Sequence, residues 1–255
     1  MIGAATSRSG LRALTKTTIL LSVVFLFALS SQTAAQKRFS RNYPAGQNVR
    51  LQLLNRTGTI TVIGWNRAEV NITATMDAPV ANIEPQNLSG TIVINLLRDN
   101  PGREVGDVNF TIRVPYYSMV DIETKIGNLS VTNISSGLVR AHISSEGDIT
   151  LTNLGASAVA AENVMGDIFF DGELAAGGNY RFSTVSGTIS LRIPFSSNFK
   201  LIATAPSTRN IVLGAFVNPN MSFLGDGRRV VGKWGDGSAT ITVTDQRGAI
   251  QFFRR

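Results

Sequence analysis

Two carboxylates, Asp148 and Asp167, each follow a glycine in segments of one form, Gly147-Asp-Ile-Thr-Leu and Gly166-Asp-Ile-Phe-Phe. If those segments lie side by side in register, the acids stand about 5 Å apart, one strand spacing. Like charges that close raise one pKa or favour a bridging cation such as calcium. The competing reading is turn chemistry on a solvated edge, which Asn128 and Thr188 would perform uncharged at the equivalent positions. The Gly-Gly-x-Gly-x-Asp nonapeptide of calcium-binding β-rolls is absent. No metal or cofactor is expected, with Asp148 and Asp167 the candidates if one binds.

Other catalytic parts are scarce. The chain has no Cys and one His, so thiolate zinc sites, cysteine nucleophiles, disulfides and multi-His centres are excluded. His142 would need a carboxylate such as Glu146 or Glu162 for acid/base work, and an ordinary surface or half-buried role is expected. Trp65, Tyr116, Tyr117 and Trp234 offer aromatic faces for stacking on sugar rings, though strand-end aromatics also cap cores. Tyr116 and Tyr117 follow Pro115 at a strand exit and, as neighbours, face opposite sides. Trp65, Tyr116, Trp234, Arg228 and Arg229 are the candidates for ligand contact. No catalytic residue is assigned. In the terminal Phe252-Phe253-Arg254-Arg255, Phe252 is expected to close the core and the arginines to face water.

The elements that must position these residues show up as a repeat. Segments of Gly-x-Ile/Leu-x-apolar form begin at Gly58, Gly127, Gly147, Gly166, Gly187 and Gly248, and Arg209-Asn-Ile-Val-Leu is a copy without the glycine. From 127 to 209 the period is about twenty residues. Seven and five positions before each glycine stand apolar or small residues, as in Leu51/Leu53, Val120/Ile122, Val159/Ala161, Tyr180/Phe182 and Ile241/Val243. The copies at 147 and 209 fit after a one-residue insertion, as Val139/Ala141 and Leu201/Ala203. Each unit therefore reads as two short alternating strands meeting at a glycine corner, where positive φ or close approach is needed. One unit cannot bury its own apolar row, and stacking units supplies a continuous core. The expectation is an all-β, single-domain β-solenoid of seven layers. Strands over 70–75, 91–97 and 108–114 make an irregular β region at its N-terminal end. Residues 214–238, rich in Gly, Asn and Asp, read as a loop or damaged layer.

The net charge of +7 suggests a polyanion partner until it is located. Arg8, Arg12 and Lys16 precede the apolar run Ile19 to Leu29, a small-residue tail follows, and no acid occurs before Glu69. That is the pattern of a secretory signal peptide over 1–35, with cleavage before Gln36. The remainder, 36–255, has 21 basic against 17 acidic residues and lacks the dense basic stripe that nucleic acid requires. Seven Asn-x-Ser/Thr sequences, Asn71 and Asn109 among them, are expected to be turn and ladder asparagines.

The series Gly-Asn-Leu-Ser-Val-Thr-Asn, Gly-Asp-Ile-Thr-Leu-Thr-Asn and Ser-Gly-Thr-Ile-Ser-Leu-Arg-Ile-Pro, with Gly58-Thr-Ile-Thr-Val-Ile-Gly-Trp, resembles the bacterial putative adhesin family of β-strand-repeat proteins, a domain of unknown function. The resemblance spans about 48–253. It implies a β-solenoid in the bacterial envelope or outside the cell, and it brings no catalytic residues with it. A non-enzymatic envelope module is thus expected, contacting an envelope polysaccharide or surface protein and meeting the membrane only through the transient signal peptide. The alternatives are a polysaccharide lyase or hydrolase using Asp148, Asp167, Glu146 and Glu162, and a sensor or assembly domain for envelope stress.

Overall fold

The computed structural model describes residues 36–135 and 137–255. The expected signal segment, 1–35, lies outside the described residues. Gln36–Arg255 form one compact unit. Its first strands are β1 (Lys37–Pro44), β2 (Arg50–Leu54), β3 (Ile60–Trp65), β4 (Glu69–Met76), β5 (Gln86–Leu88), β6 (Thr91–Asn95) and β7 (Val108–Pro115), with a helical turn at Leu96–Asp99. There follow β8 (Met119–Ile126), β9 (Leu129–Thr132), β10 (Leu138–Glu146), β11 (Ile149–Leu154), β12 (Ala158–Glu162), β13 (Ile168–Gly172), β14 (Asn179–Thr184) and β15 (Thr188–Ile193). The chain ends with β16 (Phe199–Thr204), β17 (Ile211–Val212), β18 (Met221–Leu224), β19 (Arg229–Trp234), β20 (Ala239–Asp245) and β21 (Ala249–Arg254).

These strands build two facing sheets, ordered β1-β4-β7-β3-β9-β11-β13-β15-β21-β17 and β18-β19-β16-β20-β14-β12-β10-β8-β2-β6-β5. Each layer contributes one strand to each sheet, and the central pairings are parallel: Leu129, Ile149, Ile168, Ile189 and Ile250 stand in one row. In the other sheet Leu51, Val120, Val139, Val159, Tyr180, Ile241 and Leu201 form a second row, all buried. These are the upstream apolar positions of the repeat. Each large side chain buried this way stabilises the fold by about 1.5–3 kcal/mol, which supplies the cohesion that a chain without disulfides needs. The one-residue insertion before Gly147 is a bulge in β10, between Ile143 and Glu146.

Three expectations change. First, the parallel stack has eight layers, because β6 and β7, without a glycine corner, pair beside β2 and β3 as a further layer. Second, the copies do not stack in chain order. The Gly248 layer lies between the Gly187 layer and the copy at 209, since β21 pairs with both β15 and β17. Arg209 sits at φ 60°, β17 pairs over only two residues, and the Thr208 hydroxyl donates to the Gly248 carbonyl at 2.6 Å. A corner so altered ends a column of corners and cannot continue it. Third, 214–238 is neither loop nor damaged layer: β18 and β19 form an antiparallel hairpin laid against β16, closing that end of the sheet. At the opposite end β1, β4 and β5 are antiparallel. Such caps cover edges that would otherwise recruit other chains.

Candidate functional site

The glycine corner is built by backbone crowding. A Cβ on Gly127 would strike the carbonyl oxygen of Gly58, one on Gly147 that of Gly127, and the same relation continues through Gly166, Gly187 and Gly248. Gly127 and Gly147 have φ of 119° and 145°, a region that other residues rarely adopt. Beside this column runs a ladder of side chains. Asn128 Oδ1 accepts from the Asp148 N–H at 3.0 Å, Asp148 Oδ1 from the Asp167 N–H at 2.8 Å, and Asp167 Oδ1 from the Thr188 N–H at 2.7 Å. Asp148 and Asp167 are therefore brought to adjacent layers, and one oxygen of each holds the next layer's backbone. Asn128 performs the same bond without charge, so the bond itself needs no cation. No group of three potential metal-ligating side chains occurs among the described residues.

A second polar column lies inside the same corner, three residues before the glycines, and the sequence reading missed it. Asn55, Thr124, Asn163, Thr184 and Asp245 are all buried. Asn163 Nδ2 donates to the Gly147 carbonyl of the neighbouring layer at 3.0 Å, and the Thr184 hydroxyl is shared between the carbonyls of Ser186, at 3.4 Å, and of Gly166 in the neighbouring layer, at 3.5 Å. Asp245 is the acid in this series. Its Oδ1 accepts from the Gly248 and Arg247 N–H groups, while Oδ2 is buried without a partner. Burial pushes its pKa up; the two backbone donors oppose that, and the Asp167 charge adds to the rise. The recurring Asn/Thr at this offset was the available signal.

On the outer face of the other sheet, His142 stands in register between Glu123 and Glu162, with Nδ1 3.8 Å from Glu162 Oε2. Glu146, the other carboxylate weighed for it, lies beyond the β10 bulge and is paired with Ile126. Nearby, Asp121 bridges Arg50 and Arg140 at 3.2 and 3.0 Å. Asp121, Glu123 and Arg140 border a shallow cavity of about 210 Å³ on this face, and His142 and Glu162 lie outside it.

The aromatic and basic candidates are dispersed. The Trp65 indole donates to the Glu69 carbonyl at 2.9 Å and lies under the Arg67 guanidinium, 5.0 Å from the ring centre. Trp234 donates to the Phe195 carbonyl and packs edge-on against Phe195 and Phe216, sealing the C-terminal hairpin. Arg228 and Arg229 are exposed at the turn of that hairpin. Trp234 also borders an open groove with Phe195 and Asn198, and Tyr116 joins a second one. The expected alternation fails here: Tyr116 and Tyr117 are both exposed, at 38% and 56%, and both line this groove, because they stand in the turn after β7 and not in the strand. The groove, about 430 Å³, is also lined by Asn133, Ser135, Asn153, Glu173 and Arg255. It lies at the exits of the ten-stranded sheet. Asn133 and Asn153 follow the repeat's Thr132 and Thr152, and their recurrence was legible in the sequence.

Phe252 is buried, as expected, and Arg254 and Arg255 face water. Arg255 also reaches Asp171 at 3.4 Å and Glu173 at 3.9 Å.

With the stacked layers and their corner in place, the relatives can be read. Residues 28–251 match the Toastrack DUF4097 family. The chain belongs to that family. The match agrees with the resemblance carried by the Gly-corner segments. A putative cell adhesion protein from Clostridium sporogenes shares the Toastrack fold at 12% identity and a TM-score of 0.53, over 86% of this chain and 100% of that one. A putative adhesin from Bacteroides fragilis aligns at 15% identity over 87% and 99% of the two chains, with a TM-score of 0.41. A putative lipid binding protein from Parabacteroides distasonis aligns at 10% identity over 86% and 94%, with a TM-score of 0.33. At those scores the last two add nothing to the fold. No curated protein matches the Toastrack chain.

Proposed function

We propose that the chain is exported through a signal peptide over 1–35, and that 36–255 acts as a non-enzymatic, solenoid-like contact module of the bacterial envelope, in the manner of an adhesin. The observation that carries this reading is how the repeat acids are used. Asp148 and Asp167 each spend an oxygen on the backbone of the next layer, and Glu162 lies beside His142 on an open face. A hydrolase or lyase needs a converging acid and base at a bound substrate. Rigid outer rows of hydroxyl, amide and charged groups suit contact with a surface polymer or protein instead. The names borne by the adhesin-like relatives agree with a binding role.

The test is fractionation of the full chain expressed in a bacterial host, with sequencing of the protein's N-terminus and co-sedimentation with isolated envelopes. The expected product begins at Gln36, is found outside the cytoplasm and sediments with envelopes. A chain retained in the cytoplasm with its N-terminus intact, or one that ignores envelopes, overturns the reading. Turnover of glycans that Asp148→Asn with Asp167→Asn abolishes would restore the enzyme alternative.

A further inference from the structure

The groove at the exits of the ten-stranded sheet is polar, continuous across layers and only partly used by the fold. It crosses the ends of β9, β11 and β13, successive layers about 5 Å apart. Tyr116 and Tyr117 close one end, where the chain leaves β7, and Arg255 closes the other. Asn133 and Asn153 adopt φ of 60° and 52°, a conformation asparagine tolerates better than most residues. Their side chains form a rung, Asn153 Nδ2 donating to Asn133 Oδ1 at 2.7 Å. One amide joined to another leaves a donor and an acceptor unspent. Asn133 Nδ2 and Asn153 Oδ1 have no partner among the described residues, and both residues line the groove. Gly155 keeps the floor low: a Cβ there would stand 3.2 Å from Ser135 Oγ.

Charge narrows the ligand. Arg255 is the cation of the groove, and Asp171 and Glu173 already engage it. Asp171 also pairs with Arg192. A polyanion would find no free positive charge, and an apolar peptide would find no deep apolar pocket. A sugar ring offers apolar C–H faces suited to a tyrosine ring, and hydroxyls that donate and accept at once. A row of amide donor, amide acceptor and serine hydroxyl beside exposed aromatic faces has that chemistry.

We propose that this groove binds a neutral glycan chain, Tyr117 stacking on one ring and Asn133, Asn153 and Ser135 hydrogen-bonding the next. The proposal deepens the contact-module reading and rests on it. The groove runs along the stack axis, so a linear polymer lies in it lengthwise and successive sugars meet successive layers.

The protein purified after export is titrated with chitohexaose, cellohexaose, a galacturonate hexamer and an unstructured peptide, following the side-chain amide resonances of Asn133 and Asn153 and the heat of binding. At least one neutral hexamer is expected to bind with a dissociation constant of about 0.1–1 mM and to shift both amides. Tyr117→Ala weakens that binding about tenfold, Tyr117→Phe keeps it within about twofold because the ring remains, and Ser135→Gln obstructs the groove with a similar loss. Each exposed variant should melt with the wild type. Failure of both neutral hexamers to bind overturns the proposal, as does binding that Tyr117→Ala and Ser135→Gln leave unchanged. Binding confined to the galacturonate hexamer or to the peptide also overturns it and reassigns the groove. Envelope co-sedimentation separates the two failures: wild type that sediments with envelopes yet ignores both hexamers sinks the glycan assignment and leaves the contact module standing.

Discussion

Asx side chains line both corners of the stack, to opposite effect. At the glycine corner Asn128, Asp148 and Asp167 each accept a backbone N–H from the next layer, and the side chain's directional bond is spent on cohesion. At the sheet exits Asn153 bonds to another side chain, Asn133, leaving an amide group at each residue free to meet something else. One residue type at one periodicity is structural where its partner is backbone and available for recognition where its partner is a second amide. The glycine corner is also crowded to backbone contact, whereas the exits hold a groove of about 430 Å³. Substitutions should therefore be felt as stability at the first corner and as binding at the second.

The largest expected effect is at the crowded corner. Gly147→Val places a branched Cβ against the Gly127 carbonyl in a left-handed conformation, and should cost about 3 kcal/mol or more, enough to unfold much of the population. Gly90, at φ 87° with open space around it, is the control. Gly90→Ala there carries only the conformational penalty, about 1 kcal/mol. Urea unfolding of both variants measures the contrast. Equal midpoints would mean that the corner relaxes freely and that the glycine column is not what sets the layer spacing.

Next in size is the effect of the buried Asp245. Its folded-state pKa is raised, so the folded chain holds this proton more tightly than the unfolded one. The stabilisation from the group is full below the ordinary carboxylate pKa, about 4, and is lost as pH rises through the raised value. Asn163 and Thr184, at the same offset, donate to the glycine carbonyl of the adjacent layer. A protonated Asp245, or an asparagine, has a donor for the equivalent Gly187 carbonyl; the carboxylate has none. Asp245→Asn should therefore stabilise the protein by about 1 kcal/mol at neutral pH and flatten the stability profile between that window and neutrality. Thermal unfolding from pH 4 to 8 tests this. A variant less stable than wild type at pH 8 would show that Asp245 works as the charged form.

Much of this stack was legible because its signals are local. The spacing of glycines marked the corners, and the residues seven and five positions upstream gave the inner rows by alternation alone. The bulge in β10 was visible as an insertion before Gly147. Which layer lies on which was not legible, because β2 and β3, and β20 and β21, slide between layers that precede or follow them out of chain order. That choice depends on which exposed edge a complete glycine layer covers best, a property of the folded stack. The hairpin of β18 and β19 escaped for a related reason: its Gly and Asn turns look like loop chemistry until β16 supplies an edge to pair with. At the candidate site, Tyr116 and Tyr117 were visible as residue types, but their meeting with Asn133, Asn153 and Arg255 required strand exits as far apart in the chain as Pro115 and Arg254 to converge. Asp245 stayed hidden because a single acid among Asn and Thr looks like a polar strand end until burial is known.

The smallest expected effect discriminates most finely between the corners. Asp148→Asn keeps Oδ1 as acceptor for the Asp167 N–H, does what Asn128 already does one layer away, and removes a like charge next to Asp167. Its stability should stay within about 0.5 kcal/mol of wild type. Asp148→Ala removes the acceptor and should cost about 1 kcal/mol, measured by urea unfolding under the same conditions. If the two acids instead shared a cation, the pattern would differ in a way that calcium reveals. Wild type would gain stability with millimolar calcium, Asp148→Asn would lose that gain, and the alanine variant would match the asparagine. The hydrogen-bond account expects calcium to leave all three unfolding midpoints where they were, with alanine alone displaced. Calcium-dependent stabilisation of wild type would turn the glycine corner into a ligand site and erase the division of labour between the two corners.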